Sequence, residues 1–298
     1  MSILITGHKG YIGSHLYEYL LNKYTVYGID IDDFDLKDYN KLHIFVNNKN
    51  IETIIHLASY KDLNESIENP ITYYENNILI TLNILKVIQK YNIKHLIFSS
   101  SASILNGNKT ITKIDNLSNP YAKTKLICEE MIKDTAITNN FTYTILRYFN
   151  PYGFTLDVDI VPFIEKNTNI FFKVQHHLWI DNKSPFKVYG NTYNTRDGTC
   201  IRDYIFIDDL VKKHSKYINQ NKNNIINIGT GKGMTVLEFL QMYNITNYIS
   251  RHPGGRMLLR AGGKDIEQVW KEYGYDWHLK NKNIIKKIES FKIGELIE

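Results

Sequence analysis

The sequence predicts an α/β fold: a doubly wound parallel sheet with a smaller C-terminal α/β lobe for binding substrate. Three observations carry this prediction. Short apolar runs alternate with longer segments of helical period through the first half of the chain. A glycine-rich turn joins the first apolar run to the first helical segment. Beyond Pro151 the alternation weakens, and isolated aromatics and turn-prone pairs take over.

Residues 3–6 form the first expected strand. The helix after them repeats Ile12, Leu16 and Leu20 on one face. Further strands are expected at residues 25–29, 54–57, 95–99 and 143–146. The longest helix, residues 71–91, is predicted to bury a stripe of Tyr74, Ile78, Leu82, Leu85 and Ile88. Pro120 suits the first turn of another helix, reaching Ala136. Later elements are turn-rich residues 185–202, a strand at 225–228, and helices at 236–243 and 266–273. Residues 171–180 read as packing or a lid edge, because the adjacent His176 and His177 are poorly spaced to share a metal. The expected division is a dinucleotide-binding domain over residues 1–155, its sheet completed by part of 200–230, and a substrate lobe over 156–298.

With 298 residues, 43% hydrophobic and 22% charged, the chain has material for a real core, and composition argues against disorder. Its 36 basic and 31 acidic side chains give a net charge of +5 spread along the chain. That distribution suits small anionic ligands and lacks the concentrated basic face that nucleic acid demands. Cys128 and Cys200 are far apart and outside any metal-ligand spacing, so no metal site or disulfide framework is expected. No secretory signal opens the sequence, and no apolar run reaches the roughly 18 to 20 residues that span a bilayer. A cytoplasmic protein without membrane partners is expected.

Three motifs carry chemistry. Gly7-His8-Lys9-Gly10-Tyr11-Ile12-Gly13 stands between a strand and a helix, where glycines let backbone N–H groups and the helix dipole approach a pyrophosphate. That is the place of the phosphate-binding turn in a Rossmann-type fold. Asp30 closes the second strand, where a carboxylate can accept the adenosine ribose hydroxyls. No basic residue immediately follows it, which favours NAD over NADP. Tyr121 and Lys125, four apart, project from one helix face, and the ammonium is expected to lower the phenol's pKa. Ser101, at a strand end, can hydrogen-bond a substrate hydroxyl that such a tyrosinate deprotonates.

These residues resemble the extended short-chain dehydrogenase/reductase superfamily and, within it, the UDP-glucose 4-epimerases. The specific passages are Gly10-Tyr11-Ile12-Gly13-Ser14-His15, Phe98-Ser99-Ser100-Ser101-Ala102 and Asn119-Pro120-Tyr121, followed by Leu146-Arg147-Tyr148-Phe149-Asn150-Pro151 and Gly198-Thr199-Cys200-Ile201-Arg202-Asp203-Tyr204-Ile205. The resemblance implies NAD-dependent epimerisation of a UDP-hexose at C4, through a transient 4-keto sugar. It implies Tyr121 as base, Lys125 holding Tyr121 and the nicotinamide ribose, and Ser101 assisting. It places Gly7, Gly10, Tyr11, Ile12, Gly13, Asp30, Asp35, Leu36, Leu57 and Ala58 at the cofactor, with Lys61, Asn76, Ser99 and Tyr148. Asn150, Tyr189 and Arg202 would face the nucleotide sugar, and Leu259 would limit the size of the sugar. A homodimer pairing the helices that begin near Ile71 and Pro120 is also implied.

The chain departs from the family's pattern in places. Arg251-His252-Pro253-Gly254-Gly255 stands where the epimerases usually read Arg-Arg-Pro-Gly-Asp, with Arg256 as the replacement charge. Asp159 replaces an asparagine, and the segments after Asp30 and after Ser101 are short. Another nucleotide-sugar reductase or epimerase, or a non-catalytic NAD-binding regulator, are the alternative expectations. A dehydratase is disfavoured by Ala102-Ser103, where an acidic pair would stand.

Overall fold

The computed structural model describes residues 1–105, 113–155, 157–164, 169–180, 184–246, 248–251 and 258–259. The first half alternates strand and helix: β1 (Ser2–Thr6), α1 (Tyr11–Leu21), β2 (Thr25–Ile29), α2 (Tyr39–Val46), β3 (Thr53–His56), α3 (Leu63–Glu68), α4 (Pro70–Tyr91), β4 (His95–Ser101), α5 (Pro120–Asn139) and β5 (Thr142–Tyr148). The second half runs β6 (Asn150–Tyr152), α6 (Val161–Ile164), α7 (Ile170–Trp179), β7 (Phe186–Tyr189), β8 (Ile201–Arg202), β9 (Tyr204–Phe206), α8 (Ile207–Tyr217), β10 (Asn224–Ile228), β11 (Met234–Thr235), α9 (Val236–Gln241), β12 (Tyr248–Arg251) and β13 (Leu258–Leu259). The expected helix at 266–273 lies outside the described residues, as do Arg256 and the segment 252–257.

Six parallel strands form the main sheet in the order β10-β5-β4-β3-β1-β2. Its strands read as nearly unbroken apolar runs because both faces are covered. On one face Leu4, Ile54 and Leu96 pack with Leu42 of α2, Ile84 of α4 and Ile132 of α5. On the other, Ile3, Ile55 and Ile97 share a core with Leu16 of α1, Leu210 of α8 and Phe171 and Phe172 of α7. The second core therefore joins the sheet to the second half of the chain. Smaller pairings there are β11-β8-β13, β12-β7 and β6-β9.

Helix ends follow their side chains. Pro70 and Pro120 occupy first-turn positions in α4 and α5, where no N–H is missed. The Asn119 side chain accepts from Ala122 N at 2.8 Å, and Asn92 and Asn140 end these helices in left-handed conformation at φ 55° and 51°. Thr235 and Glu238 form a capping box on α9. Residues 171–180, expected as packing or a lid edge, are the amphipathic helix α7, with Phe171, Phe172 and Val174 buried.

The buried stripe of α4 differs from expectation. Leu85 and Ile88 are buried, but Leu82 is 38% exposed and Tyr74 and Ile78 are half-buried; Tyr73, Ile80, Ile84 and Val87 face the core. The polar Asn76, Asn77, Thr81 and Asn83 are buried as well. Apolar residues surround most of this helix, so period alone does not choose the face. Hydrogen bonds do: Asn83 Nδ2 donates to the Leu36 and Lys37 carbonyls at 3.0 Å each, and Asn77 brackets Tyr60.

Behind the sheet, Arg147 of β5 forms a two-pronged ion pair with Glu129 of α5, Nε to Oε1 at 3.0 Å and Nη2 to Oε2 at 2.6 Å. Ser100 of β4 donates to the same carboxylate at 2.5 Å. Both charged side chains are almost wholly removed from solvent, so each needs the other. Glu129→Ala is expected to lower unfolding free energy by about 3–5 kcal/mol, read from urea denaturation, because it strands the Arg147 charge. An unchanged midpoint would show that the pair holds nothing together.

Candidate active site

A cavity of about 860 Å³ opens along the carboxyl ends of β1, β3, β4 and β5, walled on its far side by residues after β5 and by α7. This is where open α/β sheets place ligands. The turn from β1 to α1 forms its floor. Gly7 has φ +76°, and a Cβ there would lie 2.8 Å from the Ala58 nitrogen. A Cβ on Gly13 would meet the Gly7 carbonyl oxygen at 2.0 Å. The turn closes only without side chains at these positions, so Gly13 acts through packing, while Gly7, Gly10, Tyr11 and Ile12 line the cavity.

Asp30, Asp35 and Leu36 line the end of the cavity beyond β2. The Asp30 carboxylate accepts from Lys9 N and Ile31 N, each at 2.8 Å, which fixes its orientation at the strand end. Leu57 and Ala58 line the wall after β3, together with Lys61 and Asn76. Burial lowers the pKa of Lys61, and the neighbouring Asp62 opposes that shift.

Ser101 from the end of β4 and Tyr121 from the first turn of α5 meet at the cavity. Lys125 lies one turn below Tyr121 and does not itself line the cavity. Its ammonium donates to Ser59 Oγ at 2.9 Å and Ser99 O at 2.8 Å, and sits 6.0 Å from the Tyr121 ring centroid. The expected lowering of the Tyr121 pKa by Lys125 is not what this geometry produces. Burial raises the phenol, the Ser101 hydrogen bond pulls it back down, and the ammonium is directed elsewhere. Burial also brings Lys125 down to about 8, with Cys128 and Glu129 acting in the opposite direction.

On the next strand, Tyr148 lines the cavity and its hydroxyl bonds to His214 Nε2. His214 Nδ1 reaches the Leu210 carbonyl at 2.9 Å, so the neutral ring donates there and accepts from the tyrosine. Asn150 lines the cavity while its amide donates to Asp203 O at 2.9 Å. Arg202 also lines it. The Asp203 carboxylate accepts from Thr230 N and Oγ1 and from Gly231 N. Tyr189 is 51% exposed and lies off the cavity wall, beneath Lys173.

Several wall residues escaped the sequence reading. Ser59, the acceptor of the Lys125 ammonium, stands between the expected Ala58 and Lys61, and that position is the signal that could have found it. Lys173 and Asn169 line the wall from α7, whose helical period was not read. Tyr204 lines it from inside a motif that pointed only to Arg202.

Comparison with known proteins bears on this geometry. The model described as NAD dependent epimerase/dehydratase family matches residues 3–229. A second, described as a cytochrome b5-like heme/steroid binding domain, matches residues 230–297. The UDP-glucose 4-epimerase of Yersinia enterocolitica is 32% identical over 91% of this chain and 89% of its own. The crystal structure of the Bifidobacterium longum UDP-glucose 4-epimerase with NAD+ and UDP superposes with TM-score 0.74 at 30% identity, covering 93% of each chain. That of the Brucella ovis enzyme with NAD gives 0.76 at 28% identity, covering 92% of this chain and 93% of that one.

Buried histidines in this fold are kept neutral. His56 accepts from Thr6 Oγ1 at 2.7 Å and reaches Thr81 Oγ1 at 3.2 Å, and burial depresses its pKa to about 3. Burial likewise brings His214 and His95 to about 4. In the unfolded chain each titrates near 6.5, so below that pH the unfolded state binds protons that the folded state refuses. Stability is therefore lost as pH falls from 6.5 towards 4. Urea midpoints at pH 6.5, 5.75 and 5.0 are expected to fall steeply, by up to about 1.4 kcal/mol per pH unit for each such histidine. A flat profile over this window would contradict it.

Proposed function

The chain belongs to the NAD dependent epimerase/dehydratase family, and we propose that it interconverts UDP-glucose and UDP-galactose at C4 with NAD as its cofactor. The meeting of Ser101 and Tyr121 at the cavity, with the Lys125 ammonium held beneath it by Ser59 and the Ser99 carbonyl, carries this reading, alongside relatives that are UDP-glucose 4-epimerases. The cavity fits a dinucleotide: glycine backbone at one end, a fixed Asp30 carboxylate beyond it, and a proton-handling pair at the other end. Gly7, Gly10, Tyr11 and Ile12 would hold the pyrophosphate, with Asp30 at the adenosine ribose. Lys61, Asn76, Ser99, Lys125 and Tyr148 would surround the nicotinamide side.

Bound in this cavity, NAD would supply the hydride acceptor and donor that inversion at the sugar C4 requires. The Tyr121 phenolate accepts the 4-hydroxyl proton and later gives it back. Ser101 steadies both oxygens through hydrogen bonds. Lys125, charged below its pKa of about 8, keeps positive potential beneath the phenol. Its two acceptors, Ser59 and the Ser99 carbonyl, hold it there without neutralising it. Asn150 and Arg202 orient the nucleotide sugar from the opposite wall.

The match of residues 230–297 to the heme/steroid model favours a second reading of that stretch, as a carrier of such a group in place of the nucleotide contacts expected at 251–256. Its described portion from 230 to 246 contains no histidine or cysteine, and Phe239 and Leu240 belong to the core shared with the main sheet. The described residues therefore supply no histidine or cysteine ligand, and no step is derived through a heme. Titration of the purified chain with hemin decides: a Soret band supports the second reading, and an unchanged spectrum leaves the stretch to the nucleotide sugar.

Two copies are proposed to pair through α4 and α5. The support is the outer apolar face of α4, where Ile71 is 72% exposed and Leu79 and Leu82 are 36% and 38% exposed. No helix among the described residues is long and apolar enough to cross a membrane.

The test is incubation with UDP-galactose and NAD without added reductant, following the C4 configuration by proton NMR. UDP-glucose is expected to appear, and Tyr121→Phe to lower the rate roughly 10²- to 10⁴-fold. A wild-type chain that retains NAD but turns over no nucleotide sugar would overturn the reading in favour of a non-catalytic NAD-binding protein.

A further inference from the structure

We propose that Lys173 is a phosphate anchor, which together with Arg202 binds the diphosphate of the nucleotide sugar. The inference rests on reading the cavity as a UDP-sugar site. It begins from how charge is distributed on the walls. Asp30 and Asp35 line the end beyond β2, whereas Lys173 and Arg202 line the wall contributed by the second half of the chain. Lys61, the other lining lysine, has Asp62 beside it. Lys173 and Arg202 both line the cavity, and neither is among the side chains that form ion pairs between described residues. The adjacent Asp203 carboxylate accepts from Thr230 N, Thr230 Oγ1 and Gly231 N. The guanidinium donates Nη1 to Ile201 O at 2.9 Å, which turns it without neutralising it.

The position of Lys173 adds to the excess. It follows Asn169 and Ile170, which also line the cavity, so the amino end of the ten-residue α7 borders the same space. A cation close to the positive end of a helix dipole is unfavourable unless an anion sits nearby. Its ammonium is held 6.0 Å above the Tyr189 ring, a contact that leaves the charge intact.

A diphosphate fits this set. A guanidinium matches the oxygens of one phosphoryl group, and an ammonium serves as a point charge for the other. The cofactor's pyrophosphate does not require them, since the turn after β1 offers backbone N–H groups and a helix end of its own.

The test titrates NAD-loaded protein calorimetrically with UDP and with uridine, for wild type, Lys173→Met and Lys173→Arg. Lys173→Met is expected to weaken UDP roughly ten- to hundredfold while leaving uridine unchanged, since uridine has no phosphate to lose contact with. Lys173→Arg should restore most of the loss. In turnover, KM for UDP-galactose should rise with kcat within about twofold, as for an interaction made equally in ground and transition states. UDP affinity unaffected by Lys173→Met would overturn the anchor while leaving the epimerase reading intact. Failure of wild type to bind UDP would overturn the anchor. UDP binding that depends on Lys173 in a protein without epimerase activity would keep the anchor and remove the activity. Should Lys173→Met not fold by far-UV circular dichroism, Lys173→Gln takes its place in the same comparison.

Discussion

The arrangement of the site depends on one buried ion pair. Ser101 and Tyr121 come from different elements, β4 and α5, which meet the cavity from different directions. Arg147 and Glu129, with Ser100 on the same carboxylate, lock β5, α5 and β4 into one relation. Glu129 is four residues beyond Lys125, and Ser100 lies between Ser99 and Ser101. The charges thus fix the backbone within one turn or one residue of each proton-handling group. A buried pair contributes little net stability compared with apolar packing, but it tolerates little displacement. Geometry, more than stability, is what it supplies.

A second polar layer does the same for the wall after β3. Asn77 accepts from Tyr60 N at 2.8 Å and donates to Tyr60 O and Thr124 Oγ1, each at 3.1 Å. The Thr124 hydroxyl in turn donates to the Tyr121 carbonyl at 2.8 Å. The segment carrying Ser59 and Lys61 is thereby tied to the helix carrying Tyr121 and Lys125. Desolvation then acts on both halves of the proton-handling pair in opposite directions, raising the phenol and lowering the ammonium. Burial therefore drives the two pKa values apart, with the phenol above its ordinary value and the ammonium at about 8.

The strands of the main sheet and the glycine turn were legible in the sequence because each is a local pattern. Apolar runs over β1 to β5 and β10 do not depend on distant residues for their recognition, and neither does a strand-glycine-helix junction. The face of α4 was not legible, because Tyr73 and Tyr74, or Ile78 and Ile80, differ only in which neighbours they meet. In α7, consecutive Phe171 and Phe172 obscure the helical period. Strands as short as β8, β11 and β13 have two residues each and carry no period at all. Ser101, Tyr121 and Arg202, which the motifs singled out, line the cavity, as do Ser59 and Lys173, which no local pattern marks. The expected link between Tyr121 and Lys125 followed from helix spacing alone; Ser59, 66 residues away, redirects the ammonium.

The edge strand β10 has a consequence for how this molecule comes into being. It pairs with β5 only after the chain has left the sheet, built α7, α8 and the small strands, and returned. During synthesis from the amino end, β5 emerges with one side open and waits for most of the second half to follow. A ribosome-bound chain holding only the first five strands therefore presents a bare sheet edge, the kind of surface that chaperones shield and that other nascent chains can capture. The second half is an excursion fastened to the sheet at both ends, and neither half closes its share of the cavity until the other has arrived.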